Sequence, residues 1–232
     1  MGSVSELLVI INHFTNYPLI SPKLVTYTLW SQVVLLIHTS QHLVPETFSY
    51  IQSVYAALGR GASKAVMEAF PTLTPLTLPV YNLPTPSHAL NPWWISGFLT
   101  LYGSFDLKIE TSGWGESVYH KFRHSFSVGF DIQSRALAEA MAGYLGLITY
   151  VRNGELRIDM FAQSTLEATN LISFLDELPL QSYKNSQFLV WKKYVESLKK
   201  EQDANVQRLL PFSHKRFNYY SKLIDQLNAT QR

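Results

Sequence analysis

The chain has 232 residues, 47% hydrophobic and only 16% charged, which suffices for a substantial core and excludes a disordered polymer. A net charge of +2 means that any affinity for a polyanion must come from local placement of Lys and Arg rather than from bulk charge. The absence of cysteine excludes disulfides, thiolate metal sites, zinc fingers and cysteine nucleophiles; the longest apolar run, VVLLI at 33–37, is too short to span a bilayer, and no signal-peptide or Arg-rich presequence pattern opens the chain, so it reads as soluble with no membrane partner.

The N-terminal stretch ELLVIINHF has a helical apolar pattern, passes a Pro-Leu-x-Ser turn and enters a second helix. The segment YPLISPKLVTYTLWSQVVLLI from Tyr17 recurs as LPLQSYKNSQFLVWKKYVESL from Leu178 at an offset of 161, matching Pro18 with Pro179, Lys23 with Lys184, Tyr27 with Phe188 and Trp30 with Trp191. Two related halves are implied. Trp30 and Trp191 read as core aromatics, and Lys23 and Lys184 as solvated charges at helix starts. Six prolines between 71 and 92 forbid regular helix there. The expected organisation is a helical portion over 1–70, an extended linker over 71–91 and an α+β portion over 92–232.

Strand signals occupy 104–114, 118–132, 145–153 and 155–163, with Asn153-Gly154 as a hairpin turn between the last two. QSRALAEAMAGYLG between the second and third strands reads as a helix closed by glycine. Alternation on the second strand puts Val118, His120, Phe122, His124, Phe126, Val128 and Phe130 on one side and Tyr119, Lys121, Arg123, Ser125 and Ser127 on the other. Lys108, Arg152 and Arg157 join the second side, flanked by Asp106, Glu110 and Asp159. A basic sheet face with an aromatic at its edge suits phosphate contact; an ordinary solvated sheet face has the same pattern. His120 and His124 read as packed or rim histidines, and no residue set has metal-ligand spacing. The tail from Lys192, with HKRFNYYSK at 214–222, mixes basic and aromatic residues on a terminal helix; Lys215 and Arg216 there could neutralise phosphates beside stacked bases, or the helix could simply be solubilising.

Several motifs together, INHFTNYPLISPK, ALGRGASKAVMEAFP, LNPWWISGFLTLYGSF, FRHSFSVG and LPLQSYKNSQFLVWKK, resemble the LAGLIDADG homing endonucleases of organelle introns, of the two-repeat type, over about residues 5–200. The resemblance implies a pseudo-two-fold pair of αββαββα units whose sheets sit on DNA and whose motif helices pack together. In this chain it implies one complete unit preceded by a helical remnant of another. Ser96, Gly97 and Gly103 would supply the small residues of close helix packing. The family cleaves phosphodiesters with divalent metals held by a carboxylate at each motif-helix foot. Position 102 should be that acid and is Tyr. The chain begins after the point where a first motif helix would lie, so both acids are expected to be absent, and ATNLISFLDE lacks the basic catalytic residue that relatives can carry. The nearest acid is Asp106, past the glycine.

The leading expectation is a catalytically inactive relative without metal or cofactor that binds structured RNA. Ribosomal RNA is the expected partner, as an accessory subunit of a mitochondrial ribosome among neighbouring ribonucleoprotein proteins. An intron maturase shares the same binding surface. A protein-interaction subunit without nucleic-acid binding is the alternative of a different class.

Overall fold

The structure is a computed structural model that describes residues 3–60, 64–71, 73–78, 90–114, 117–151, 156–203 and 214–231. The chain divides into two compact units, Met1–Thr85 and Pro86–Arg232.

In the first unit, helices α1 (Val4–Asn16), α2 (Lys23–His38), α3 (Pro45–Tyr55) and α4 (Lys64–Ala69) follow one another, with a π turn at Ala56–Arg60. α1 and α2 are joined by aromatic packing: the Phe14 and Tyr27 ring centroids lie 5.1 Å apart, and the Tyr27 hydroxyl donates to the Ile11 carbonyl at 3.3 Å. Only Leu29, Val34, Val54 and Leu73 are buried in this unit among the described residues. Trp30, expected in the core, is half-buried instead. Residues 73–78 form neither helix nor strand, as the proline spacing requires.

The second unit runs α5 (Pro92–Tyr102), β1 (Ser104–Trp114), β2 (Ser117–Asp131), α6 (Arg135–Leu145), β3 (Ile148–Val151), β4 (Arg157–Ala162) and α7 (Thr165–Glu177), a complete αββαββα series. α8 (Tyr183–Asp203), the helix expected after the second Pro-Leu turn, and α9 (His214–Ala229), the terminal helix, follow, and the basic-aromatic tail from Lys192 is divided between them. The four strands form an antiparallel sheet in the order β1-β2-β4-β3. Each element has a local cause. Asn91 caps α5 by accepting from the Trp93 amide at 2.8 Å, with Pro92 in the first helical turn. Leu137, Ala138, Met141, Ala142 and Leu145 give α6 a buried stripe at helical spacing, and Gly146 at φ +64° closes it in the left-handed conformation that glycine alone adopts without strain. The Asn153-Gly154 turn lies outside the described residues.

The repeat seen in the sequence is also present in the backbone. α1 and α7 have the same length and lie 161 residues apart, Val4–Asn16 against Thr165–Glu177. Ser3 caps the first through the Glu6 amide and Ser164 the second through the Glu167 amide. Both helices end alike, at Tyr17 (φ −128°, ψ 75°) and Leu178 (φ −127°, ψ 75°). In the second copy, Glu167 completes a capping box, its carboxylate accepting from the backbone amides of Ser164 and Gln163 at 3.0 and 2.9 Å.

The core of the second unit lies between one sheet face and its helices. Phe105, Phe126, Phe188 and Trp191 are all buried, and the Phe105 ring lies 5.0 Å from Phe126 and 5.3 Å from Trp191. The Trp191 indole N–H donates to the Ser125 carbonyl at 3.1 Å, tying α8 to β2. Burying these four aromatics removes hundreds of Å² of apolar surface from water, at about 25 cal/mol per Å².

Candidate nucleic-acid interface

Pairing across the sheet sorts its side chains into two faces, because directly paired residues of antiparallel strands point the same way. Phe105 pairs with Phe126, Leu107 with His124 and Ile109 with Phe122, all on the core side. The opposite, wet face carries Asp106 against Ser125, Lys108 against Arg123 and Glu110 against Lys121. Further along, Ser127 pairs with Phe161, Gly129 with Asp159 and Asp131 with Arg157. The alternation read from the sequence therefore brings Lys108, Lys121, Arg123, Ser125 and Arg157 onto one surface. Tyr119 of β2 pairs with Ser112 of β1, while Arg152 lies outside the described residues.

The cations are locally balanced. Lys108 Nζ sits 3.0 Å from Asp106, Arg123 Nε 2.9 Å from Glu110 and Arg157 Nε 3.0 Å from Asp159. In the first two pairs both partners are largely exposed, Lys108 by 67% and the other three by 46–50%. Such pairs contribute at most about 1 kcal/mol each, so a phosphate can draw either cation away at little cost. A cleft of about 720 Å³ adjoins this surface, lined by Lys108, Lys121 and Arg123 from the wet face and by Ser164 at the cap of α7, Gln202 of α8 and Arg216 of α9.

Arg216 faces that cleft but is already engaged. Its guanidinium donates twice to Glu201 Oε2, at 2.9 and 2.6 Å, and lies 4.4 Å from the Phe122 ring centroid. The neighbouring tail aromatics are packed rather than presented: Tyr220 is fully buried, 4.6 Å from Phe122, and Phe217 lies 4.9 Å from His120. Burial, and then the nearby Glu201 carboxylate, push the Tyr220 hydroxyl well above its ordinary range. The tail thus closes the core under β1 and β2, and its basic-aromatic interleaving serves packing. Lys215 is exposed on α9. Lys192 is held by Asp176 at 2.6 Å, tying α8 to α7.

His120 and His124 sit on the core side, as expected. His120 Nδ1 is 2.9 Å from the Thr111 hydroxyl. His124 has a buried Nε2 with no hydrogen-bond partner, and burial lowers its pKa against the raising influence of the Ser164 backbone and the Glu167 carboxylate.

Along α5 and at its foot the three small residues have different tasks. Ser96 is buried and donates to the Leu178 and Pro179 carbonyls at 3.0 and 3.2 Å, anchoring α5 on the Pro-Leu turn. A methyl at Gly103 would come within 2.6 Å of the Leu99 carbonyl and 2.9 Å of the Phe126 ring, so its smallness serves the crossing of helix end and strand within this unit. Gly97 alone faces open space, with nothing within 4 Å of where its methyl would be. On the same helix Trp93 is 64% and Leu101 75% exposed.

Sequence reasoning missed Lys184. It is half-buried, not solvated, and its ammonium donates to the Gly103 carbonyl at 2.9 Å, with burial lowering its pKa. The Gln181 amide also donates to the Thr100 hydroxyl at 3.1 Å, so the turn grips α5 at Ser96, Thr100 and Gly103. The repeat placed Lys184 in the sequence, but nothing there showed which carbonyl it would meet.

This foot does not fit a divalent metal. Tyr102 is 59% exposed and offers a phenol where a hard cation needs carboxylate oxygen. The Gly103 carbonyl is taken by an ammonium, and Asp106 is paired with Lys108. Among the described residues no group of three or more His, Asp or Glu is placed to hold a metal ion.

Residues 95–195 match the LAGLIDADG endonuclease family. Over 197 residues the chain is 30% identical to the probable intron-encoded endonuclease 3 of Neurospora crassa, covering 83% of this chain and 36% of that protein. The chain thus spans little more than a third of that relative's length. The crystal structure of the I-SmaMI LAGLIDADG homing endonuclease bound to cleaved DNA superposes with a TM-score of 0.83 at 21% identity, over 99% of this chain and 74% of that one. The I-LtrWI LAGLIDADG homing endonuclease bound to target DNA gives 0.82 at 22% identity, over 98% and 73%. At these identities the two structures speak for the fold. Fold, matched segment and curated relative agree: the chain belongs to the LAGLIDADG endonuclease family.

Proposed function

We propose that this protein binds structured RNA through the wet face of its sheet, does not cut it, and serves as an accessory subunit of a mitochondrial ribosome. The observation that carries the reading is the contrast between that face and the foot of α5. The face keeps Lys108, Lys121, Arg123 and Arg157 on one surface, while the foot has Tyr102 where the family uses an acid and Lys184 on the adjacent carbonyl. A surface for polyanions next to a foot that repels a metal supports binding without phosphodiester cleavage.

Two further points support RNA. Among the described residues the chain carries a single four-stranded sheet, which suits a compact folded target better than a long symmetric duplex. A binder without turnover also needs a constitutive partner, and ribosomal RNA is the most abundant one. The similarity to an intron-encoded endonuclease of a fungus supports a mitochondrial location. That relative equally favours a second reading, an intron maturase with transient, intron-specific association. Incubation of the full chain with DNA and RNA in magnesium or manganese tests the inactive reading: intact substrates are expected, and metal-dependent cutting abolished by Asp106→Asn overturns it.

A further inference from the structure

The wet face changes character along the sheet. On β1 and the first half of β2 it is charged, whereas on β3 and β4 it presents Ile148 paired with Phe161, and Tyr150 paired with Asp159. Ile148 is 49% and Tyr150 54% exposed, and Phe161 is half-buried. Tyr150 and Phe161 occupy neighbouring rungs on adjacent strands, a diagonal that one flat ligand can cover. Gly129, paired with Asp159, leaves the floor beside them without a side chain, and the Arg157 guanidinium lies across it, so that a methyl there would run into it. Asp159, 7% exposed, holds that guanidinium at 3.0 Å. Two rings, an aliphatic side chain and a fixed planar cation are thereby gathered on one patch, continuous with the cations of β1 and β2.

A ligand that fits both halves must alternate negative charges with flat uncharged groups. Nucleic acid does so, but in a duplex the faces of the bases are buried in the stack and only their edges are offered. Faces become available in loops, bulges and single strands, where aromatic and guanidinium groups stack on them. We propose that Tyr150, Phe161 and Ile148 with Arg157 form a stacking platform for unpaired RNA bases, while Lys108, Lys121 and Arg123 hold the flanking phosphates. This rests on the nucleic-acid reading above and names which part of an RNA the face selects.

The test uses the full chain and two labelled RNAs, a stem-loop with an unpaired loop and the same stem closed as a blunt duplex, followed by fluorescence anisotropy over a range of salt. The wild type is expected to prefer the stem-loop. Tyr150→Ala should weaken stem-loop binding by roughly tenfold and duplex binding by less than about twofold, leaving the salt dependence unchanged because stacking releases no counterions. Tyr150→Phe, which keeps the ring, should restore stem-loop binding. Lys121→Glu with Arg123→Glu should instead weaken both RNAs and flatten the salt dependence. Equal losses on both RNAs for Tyr150→Ala, or no loss, overturn the platform while the charged half stands. Failure of the wild type to bind either RNA, with no effect of the charge reversals, overturns the nucleic-acid reading itself and the platform with it.

Discussion

Two glycines, one inside α5 and one at its C-cap, should respond in opposite directions to the same substitution. Gly97 lies within α5 with nothing inside 4 Å of a built methyl, so Gly97→Ala removes backbone entropy from the unfolded chain and adds no contact. The gain is about 1 kcal/mol. Gly103 has φ −66° and ψ 138°, which alanine adopts freely, so its cost is purely steric. The methyl would meet a backbone oxygen at 2.6 Å and a Phe126 ring atom at 2.9 Å, and Phe126 is fully buried against Phe105. Neither obstacle is the free end of a flexible side chain. Overpacking of this kind costs about 1–3 kcal/mol, and the shift also disturbs the carbonyl that Lys184 holds. For a unit of this size each kcal/mol moves Tm by about 2–4 °C. Calorimetry should therefore show Gly97→Ala higher by roughly 2–4 °C and Gly103→Ala lower by roughly 2–12 °C. A fall in Tm for Gly97→Ala would mean that this face is covered, and an unchanged Tm for Gly103→Ala would refute the clamp on Phe126.

The repeated caps predict that Ser3→Ala and Ser164→Ala each cost about 1 kcal/mol, the second more because the Glu167 arm of its box is also loosened; denaturant titration followed by helical circular dichroism reads both. Glu167 has its pKa held below the usual 4.5: burial raises it, but the backbone amides of Ser164 and Gln163 outweigh that. Its stabilisation is present above pH 4.5 and lost as pH falls through the folded value, so Glu167→Gln should lower stability at pH 7 and flatten the acid slope of the Tm profile in that window. His124 has its pKa depressed below 6.5 by burial, so stability present above that pH is lost as pH falls through the folded value; His124→Gln should remove that part of the profile.

The parts of the fold legible in the sequence were those governed by strict local rules. Period-two alternation from His120 to Phe130 separated core from wet face because every even residue there except the histidines is apolar. The offset of 161 residues announced a repeat that extends to caps and terminal dihedrals. Tertiary competition decided the rest. In the tail, Tyr220, Leu223 and Leu227 recur at helical spacing, and burial claimed that stripe together with Arg216 before any ligand could. Ser96 and Gly103 were read as helix-packing residues, yet their partners are a turn and a strand ring 20 or more positions away in sequence. Lys184 resembled a solvated charge because a lysine at a helix start carries no mark of the carbonyl that will receive it. The aromatic half of the wet face was hidden for a similar reason, since Tyr150 and Phe161 become neighbours only through the β3–β4 register.

The most direct measurement is purification of the wild type and of the Lys121→Glu, Arg123→Glu variant from the native source at moderate and at high salt, with sequencing of the co-purifying RNA. Mitochondrial ribosomal RNA is expected in constant ratio with the wild type, falling steeply with salt and largely lost from the variant. Intron RNA in its place would contradict the ribosomal assignment in favour of a maturase, and RNA retained equally by the variant, or absent from both, would contradict the claim that this sheet face binds it.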